Sequence, residues 1–103
     1  TATIRESLLE KAFELGEKFI TASKEHYDPG IIGPFCLQTC IDKDMNYAIY
    51  DVAPRLGGGT NVHVSVGHPY GNATWRKPVS SGRRIAMELR RAVEQDRLLE
   101  VLT

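Results

Sequence analysis

The sequence has no surplus of either charge: Lys and Arg number 13, and Asp and Glu number 13, over 103 residues. That balance argues against a dedicated binder of nucleic acid or acidic membrane, which usually carries a net basic excess. No apolar run approaches the roughly 20 residues that a membrane span needs. A basic segment followed by an apolar one, the mark of a secretory leader, is missing too. These absences set the expectation of a soluble cytoplasmic protein with neither nucleic acid nor membrane as partner.

Cysteine is scarce. Cys36 and Cys40 are the two in the chain, which is no disulfide framework. Four residues of strand separate them by roughly 13 Å, whereas a bridge needs Cα atoms within about 7 Å. Both are expected as reduced thiols. The same spacing disfavours a zinc site built from Cys36, Cys40, His63 and His68, because a tetrahedral ion holds its ligands at about 2.3 Å.

What is present is enough for one domain, or a piece of one, with 42% hydrophobic residues. The chain opens at Thr1, almost at a helix start, and reads as a fragment. Thr3-Ile4-Arg5-Glu6 has the form of a capping box. Leu8, Leu9, Ala12, Phe13, Leu15, Phe19 and Ile20 follow at helical spacing. This helix is expected to run to about His26, which favours a helix C-terminus. Asp28-Pro29-Gly30 then ends it. The apolar run from Ile31 to Ile41 predicts a strand, with Phe35, Leu37, Thr39 and Ile41 on one face and Cys36, Gln38 and Cys40 on the other. Asp42 to Asn46 is turn-like, and Tyr47 to Ala53 predicts a second strand, making an antiparallel hairpin. A turn centred between Asp44 and Met45 pairs residues whose numbers sum to 89. Gln38 then lies opposite Asp51, with Cβ atoms about 5 Å apart.

Val62, Val64 and Val66 alternate with polar residues and predict a short third strand. Gly67 to Asn72 reads as a turn, and Ala73 to Val79 as irregular, with Tyr70 and Trp75 as packing anchors. Ser80 or Ser81 is expected to cap a last helix whose apolar stripe is Ile85, Ala86, Leu89, Ala92 and Val93. A break is expected near Asp96. The arginines of this segment have acidic neighbours at pairing distance, Glu88 with Arg84 or Arg91 and Glu94 with Arg97, so a salt-bridged face is the preferred reading over phosphate-backbone binding. The order α-β-β-β-α predicts an α+β fold, an antiparallel sheet packed by helices.

The segment YDVAPRLGGGTN, residues 50–61, gathers unusual chemistry. Asp51 interrupts a run of good strand formers. It could be a solvent-facing acid, or a ligand for Mg²⁺, which commonly takes one or two protein oxygens while phosphates and waters complete its shell. Gln38 could give a second oxygen. Arg55 suits a phosphate oxygen through its planar fork, or could pair with an acid such as Glu100. Gly57, Gly58 and Gly59 could let backbone N–H groups approach an anion, or form a plain flexible loop. Thr60 and Asn61 end it with hydrogen-bonding side chains. The lysine and spacing of a P-loop are not there. Together the groups fit metal-assisted phosphoryl chemistry.

A carboxylate followed by Pro-Arg and a small-residue loop resembles the second half of an ATP-grasp ligase. IRESLLEKAFELGEKF, IIGPFCLQ, YDVAPRLGGGTN, GHPYG and SSGRRIAMELRRAVEQDRLLEVLT together resemble the C-terminal part of the archaeal formate-dependent 5-formaminoimidazole-4-carboxamide ribonucleotide synthetases. The resemblance implies the C-terminal portion of an ATP-grasp domain. It implies a purine-biosynthesis ligase in which ATP phosphorylates formate, and the amine of aminoimidazole carboxamide ribonucleotide attacks the resulting formyl phosphate, releasing ADP and phosphate. By position, Gln38 and Asp51 would face Mg²⁺ or Mn²⁺, Arg55 would stabilise phosphate, and Gly57 to Asn61 would border the acyl phosphate and nucleotide. The implied partners are ATP, formate, the ribonucleotide, the rest of the ATP-grasp chain and further copies in a homo-oligomer. This piece alone would be inactive. The family usually has glutamate where Asp51 stands, and serine and alanine around Pro54. Those departures leave open a paralogue with another substrate. The alternatives to the ligase are a non-catalytic regulatory or assembly module that kept the fold and, further off, a nucleic-acid-binding domain using the last helix.

Overall fold

The computed structural model describes residues 4–59 and 65–102. The chain forms two compact units, Thr1–Leu56 and Gly57–Thr103.

In the first unit, α1 (Glu6–His26) precedes a two-stranded hairpin, β1 (Cys36–Ile41) and β2 (Tyr47–Ala53). The helix ends at His26 as its periodicity predicts, but its start differs from the capping-box expectation. Arg5 occupies the N-cap with extended backbone and no side-chain cap, so Glu6 is the first helical residue rather than the third. There its carboxylate faces the positive end of the helix dipole. Thr3 lies outside the described residues. At the other end, the Ser23 hydroxyl donates to the Ile20 carbonyl at 2.7 Å and accepts from the Ile31 N–H at 3.0 Å, tying the helix to the chain that leaves it. Gly30 sits at φ +94°, and a Cβ there would run into Lys24 and Ser23, so the return needs a residue without one.

α1 meets the hairpin and the chain leading into it at a few points. Leu8 is buried, and its carbonyl accepts a hydrogen bond from the Tyr47 hydroxyl at 3.2 Å. Phe19 meets Phe35 with ring centroids 4.9 Å apart, a tilted packing that suits the ring quadrupoles. The strand predicted from Ile31 begins only at Cys36; the residues before it run out of the helix turn instead of along the sheet. The turn is built on Asp42. Its carboxylate accepts from the backbone N–H groups of Asp44 at 2.9 Å and Asn46 at 2.8 Å, while its own N–H reaches the Asn46 carbonyl at 3.0 Å.

In the second unit, the expected turn and irregular stretch contain a helix, α2 (Pro69–Trp75). Pro69 suits the first helical position, and the His68 side chain caps the helix by accepting from the Tyr70 N–H. Asn72 bridges both sides of it: its amide donates to the Val66 carbonyl at 2.9 Å and accepts from the Val79 N–H at 3.0 Å. Gly67, at φ +78°, lies against the Val79 carbonyl and Asn72, where a Cβ has no room. Ser65 and Val66 form a turn rather than the end of a strand; residues 62–64 of the expected third strand lie outside the described residues.

Ser80 caps α3 (Ser81–Glu94), accepting from the Arg83 N–H at 3.2 Å. Ala92 is buried, and Asp96, at φ +55°, breaks the chain before a 3-10 turn at Leu98–Val101. Arg84 pairs with Glu88 at 2.7 Å and lies over the Trp75 ring at 5.4 Å. Arg97 pairs with Glu100 at 2.7 Å rather than with Glu94, because the break moves it off the helix. The architecture is α+β with an antiparallel two-stranded sheet among the described residues.

Candidate functional site

The site begins with an irregularity in the hairpin. Next to the turn, Ile41 faces Tyr47, Cys40 faces Ala48 and Thr39 faces Ile49. Those pairs sum to 88, not the predicted 89, because the turn closes on Asp42 and Asn46. Continued without interruption, this register would set Gln38 against Tyr50 and turn Asp51 toward the opposite face, the one shared by Leu37 and Tyr47. Instead the register shifts between Gln38 and Thr39, and Gln38 faces Asp51, Leu37 faces Val52 and Cys36 faces Ala53. Tyr50 is the extra residue of a β-bulge, a feature that bends a strand and re-aims side chains. The predicted partnership of Gln38 and Asp51 is observed, but the bulge sets it, not a symmetric turn.

Across that pair, the Gln38 Nε2 donates to Asp51 Oδ2 at 2.5 Å. Gln38 is half-buried and Asp51 exposed. Their neighbours on the same face are small: Cys36 opposite Ala53 and Cys40 opposite Ala48. One acid and one amide therefore rise from a low floor. Arg55 stands just beyond the strand, after Pro54, and donates from Nη1 to the Leu56 carbonyl at 3.1 Å. Among the described residues it makes no ion pair with Asp51. The acid proposed as its alternative partner, Glu100, is taken by Arg97.

Gly57, Gly58 and Gly59 belong to the second unit. A Cβ on Gly58 or Gly59 would meet nothing within 4 Å, so neither glycine is required by a described neighbour. Thr60 and Asn61 lie outside the described residues.

The donor set fits a hard divalent cation. Asp51 offers carboxylate oxygen, and a half-turn of the Gln38 amide would present Oε1 beside it, two oxygens on one face. Both cysteines are free thiols, and among the described residues no three His, Cys, Asp or Glu side chains gather where one ion could bind them. His63 lies outside those residues, and His68 is engaged as the cap of α2. Among the described residues no helix is long and apolar enough to cross a membrane.

Sequence reasoning missed Tyr50 and the role of Asp42. The second was legible, since an aspartate two and four residues before Asp44 and Asn46 is placed to accept their N–H groups. The first was not, because one extra residue leaves no mark on the composition of a seven-residue strand.

This arrangement belongs to a known protein family. The whole chain, residues 1–103, matches the family described as "Domain of unknown function (DUF1297)", and the chain is a member of it. Among curated proteins it is 39% identical over 102 residues to the 5-formaminoimidazole-4-carboxamide-1-(beta)-D-ribofuranosyl 5'-monophosphate synthetase of Methanobrevibacter smithii, covering 99% of this chain and 28% of that protein. It is 42% identical over 102 residues to the protein of the same name from Saccharolobus solfataricus, covering 99% of this chain and 30% of that one. Among solved structures it is similar to an IMP biosynthesis protein PurP from Thermococcus kodakaraensis, with a TM-score of 0.82, 40% identity, and coverage of 99% of this chain and 33% of that one. The chain thus spans a third or less of the relatives it matches.

Proposed function

We propose that this chain is the C-terminal portion of an ATP-grasp carbon–nitrogen ligase of purine biosynthesis. The ligase formylates aminoimidazole carboxamide ribonucleotide with formate through formyl phosphate, releasing ADP and phosphate. The observation that carries this reading is the bulge-set juxtaposition of Gln38 and Asp51, in a chain about 40% identical to synthetases of that name.

Each residue has a role that its chemistry suits. Asp51 and Gln38 would hold Mg²⁺ or Mn²⁺ from one side, leaving the other side to phosphate oxygens and water. The cation, when bound, supplies charge neutralisation to the ATP phosphates. Arg55 would place its planar fork on the phosphoryl group as it transfers, a charge-assisted contact that strengthens as negative charge develops. Gly57, Gly58 and Gly59, followed by Thr60 and Asn61, would bring backbone N–H groups and short polar side chains toward the acyl phosphate and nucleotide. The enzyme is read as cytoplasmic and homo-oligomeric, with the remaining substrate contacts on other parts of the ligase chain.

The test is ADP release by the longer protein that carries this chain, supplied with ATP, Mg²⁺, formate and the ribonucleotide. Release is expected to require both formate and the ribonucleotide. Full-rate release with either one omitted would assign another substrate, and no release under any combination would favour a regulatory or assembly module.

A further inference from the structure

Resting on the ligase reading, we infer that Tyr50 forms one wall of the subsite for the imidazole ring of the acceptor nucleotide. Tyr50 has no cross-strand partner in the hairpin, since Ile49 and Asp51 face consecutive residues of β1 and leave it between them. Tyr50 is 68% exposed, a large ring left in solvent at the position next in the chain to Asp51. The register does not need it. Removing one residue at this point would leave Asp51 opposite Gln38 by continuing the pairing that runs from the turn. An inserted residue that the ladder does not use, at the residue before the candidate metal carboxylate, points to a use for its side chain.

Position selects the ligand. The Cα atoms of Tyr50 and Asp51 are about 3.8 Å apart, as any neighbours are. The amine that attacks the acyl phosphate must come within about 3–3.5 Å of the reacting carbon. The ring that bears this amine therefore lies close to the groups that hold the phosphates. The adenine of ATP lies at the far end of a triphosphate and a ribose. A flat nitrogen heterocycle against a phenol ring gains both apolar contact and favourable quadrupole geometry.

Tyr50→Ala, Tyr50→Phe, Tyr50→Leu and deletion of Tyr50, all in the longer protein, test this. Tyr50→Ala and the deletion are expected to raise KM for the ribonucleotide about tenfold, the size of a lost ring contact. KM for ATP and formate should change less than about twofold. Tyr50→Phe, which keeps the ring, should restore the affinity that Tyr50→Ala loses, and Tyr50→Leu, which keeps bulk without the ring, should restore only part. An unchanged ribonucleotide KM in Tyr50→Ala overturns the assignment. So does a rise confined to ATP, or a loss of thermal stability with substrate constants unchanged. Calorimetric titration of the ribonucleotide into wild-type and Tyr50→Ala protein separates this inference from the ligase reading. Weaker binding in the variant supports the subsite even if formate-dependent turnover is absent, and equal binding or none in wild type rejects it.

Discussion

The side-chain amide of Gln38 and the carboxylate of Asp51 meet across two strands whose register would otherwise keep them on opposite faces. Their meeting costs the hairpin one unpaired residue. Replacing the acid should remove function without unfolding the chain. Asp51→Asn in the longer protein is expected to lower formate-dependent ADP release at least about 100-fold, the upper range for residues that merely orient metal ligands. Asp51→Glu should retain measurable turnover, because it keeps the charge on a longer stem. Melting temperatures of both variants should stay near wild type, since Asp51 is exposed.

Acid should loosen the hairpin turn. The Asn46 backbone N–H, first among several donors, holds the Asp42 carboxyl below its ordinary value of 3.8, with the Asn46 side chain, the Asp44 N–H and Lys11 acting the same way and slight burial opposing them. A depressed carboxyl contributes stability that is complete above its unfolded value and is lost as pH falls through the lower folded one. Amide resonances of Asp44 and Asn46 should therefore hold their positions at neutral pH and move below about pH 4. In Asp42→Ala the same resonances should show no such titration.

Gly67→Ala is expected to destabilise the second unit by more than about 2 kcal/mol, combining left-handed backbone with a blocked Cβ. The Val79 carbonyl and the Asn72 side chain stand where the new methyl would go. Gly58→Ala meets open space and serves as the control. Denaturant midpoints of the two variants in the longer protein give the comparison.

Ser80→Ala removes the oxygen that accepts from the Arg83 N–H at 3.2 Å. Losing an N-cap of this kind costs about 1 kcal/mol. Ser80→Asp should recover the stability, adding a charge that the start of α3 favours. Thermal unfolding reads both.

Much of the chain was legible because its signals are local. The apolar spacing from Leu8 to Ile20 predicts α1, and Asp28-Pro29-Gly30 stops it near the observed end. Ser80 marks the start of α3, and the polar run 42–46 marks the hairpin turn. Where a short polar stretch has two readings, local signals failed. Pro69 suits a turn, yet a proline also suits the first position of a helix, and His68 tips the balance by accepting from the Tyr70 N–H.

The sequence by itself determined α1, α3 and the hairpin, and which residue types could serve phosphate chemistry, because periodicity, caps and breakers act within a few residues of one another. Tertiary structure alone decided that Gln38 and Asp51 share a face. Register is a relation between two strands, set by how Asp42 closes the turn and by where one extra residue is let into the ladder. A shift of one residue reverses the face of every side chain beyond it, so the same letters could have turned that acid away from Gln38, to the other face of the hairpin.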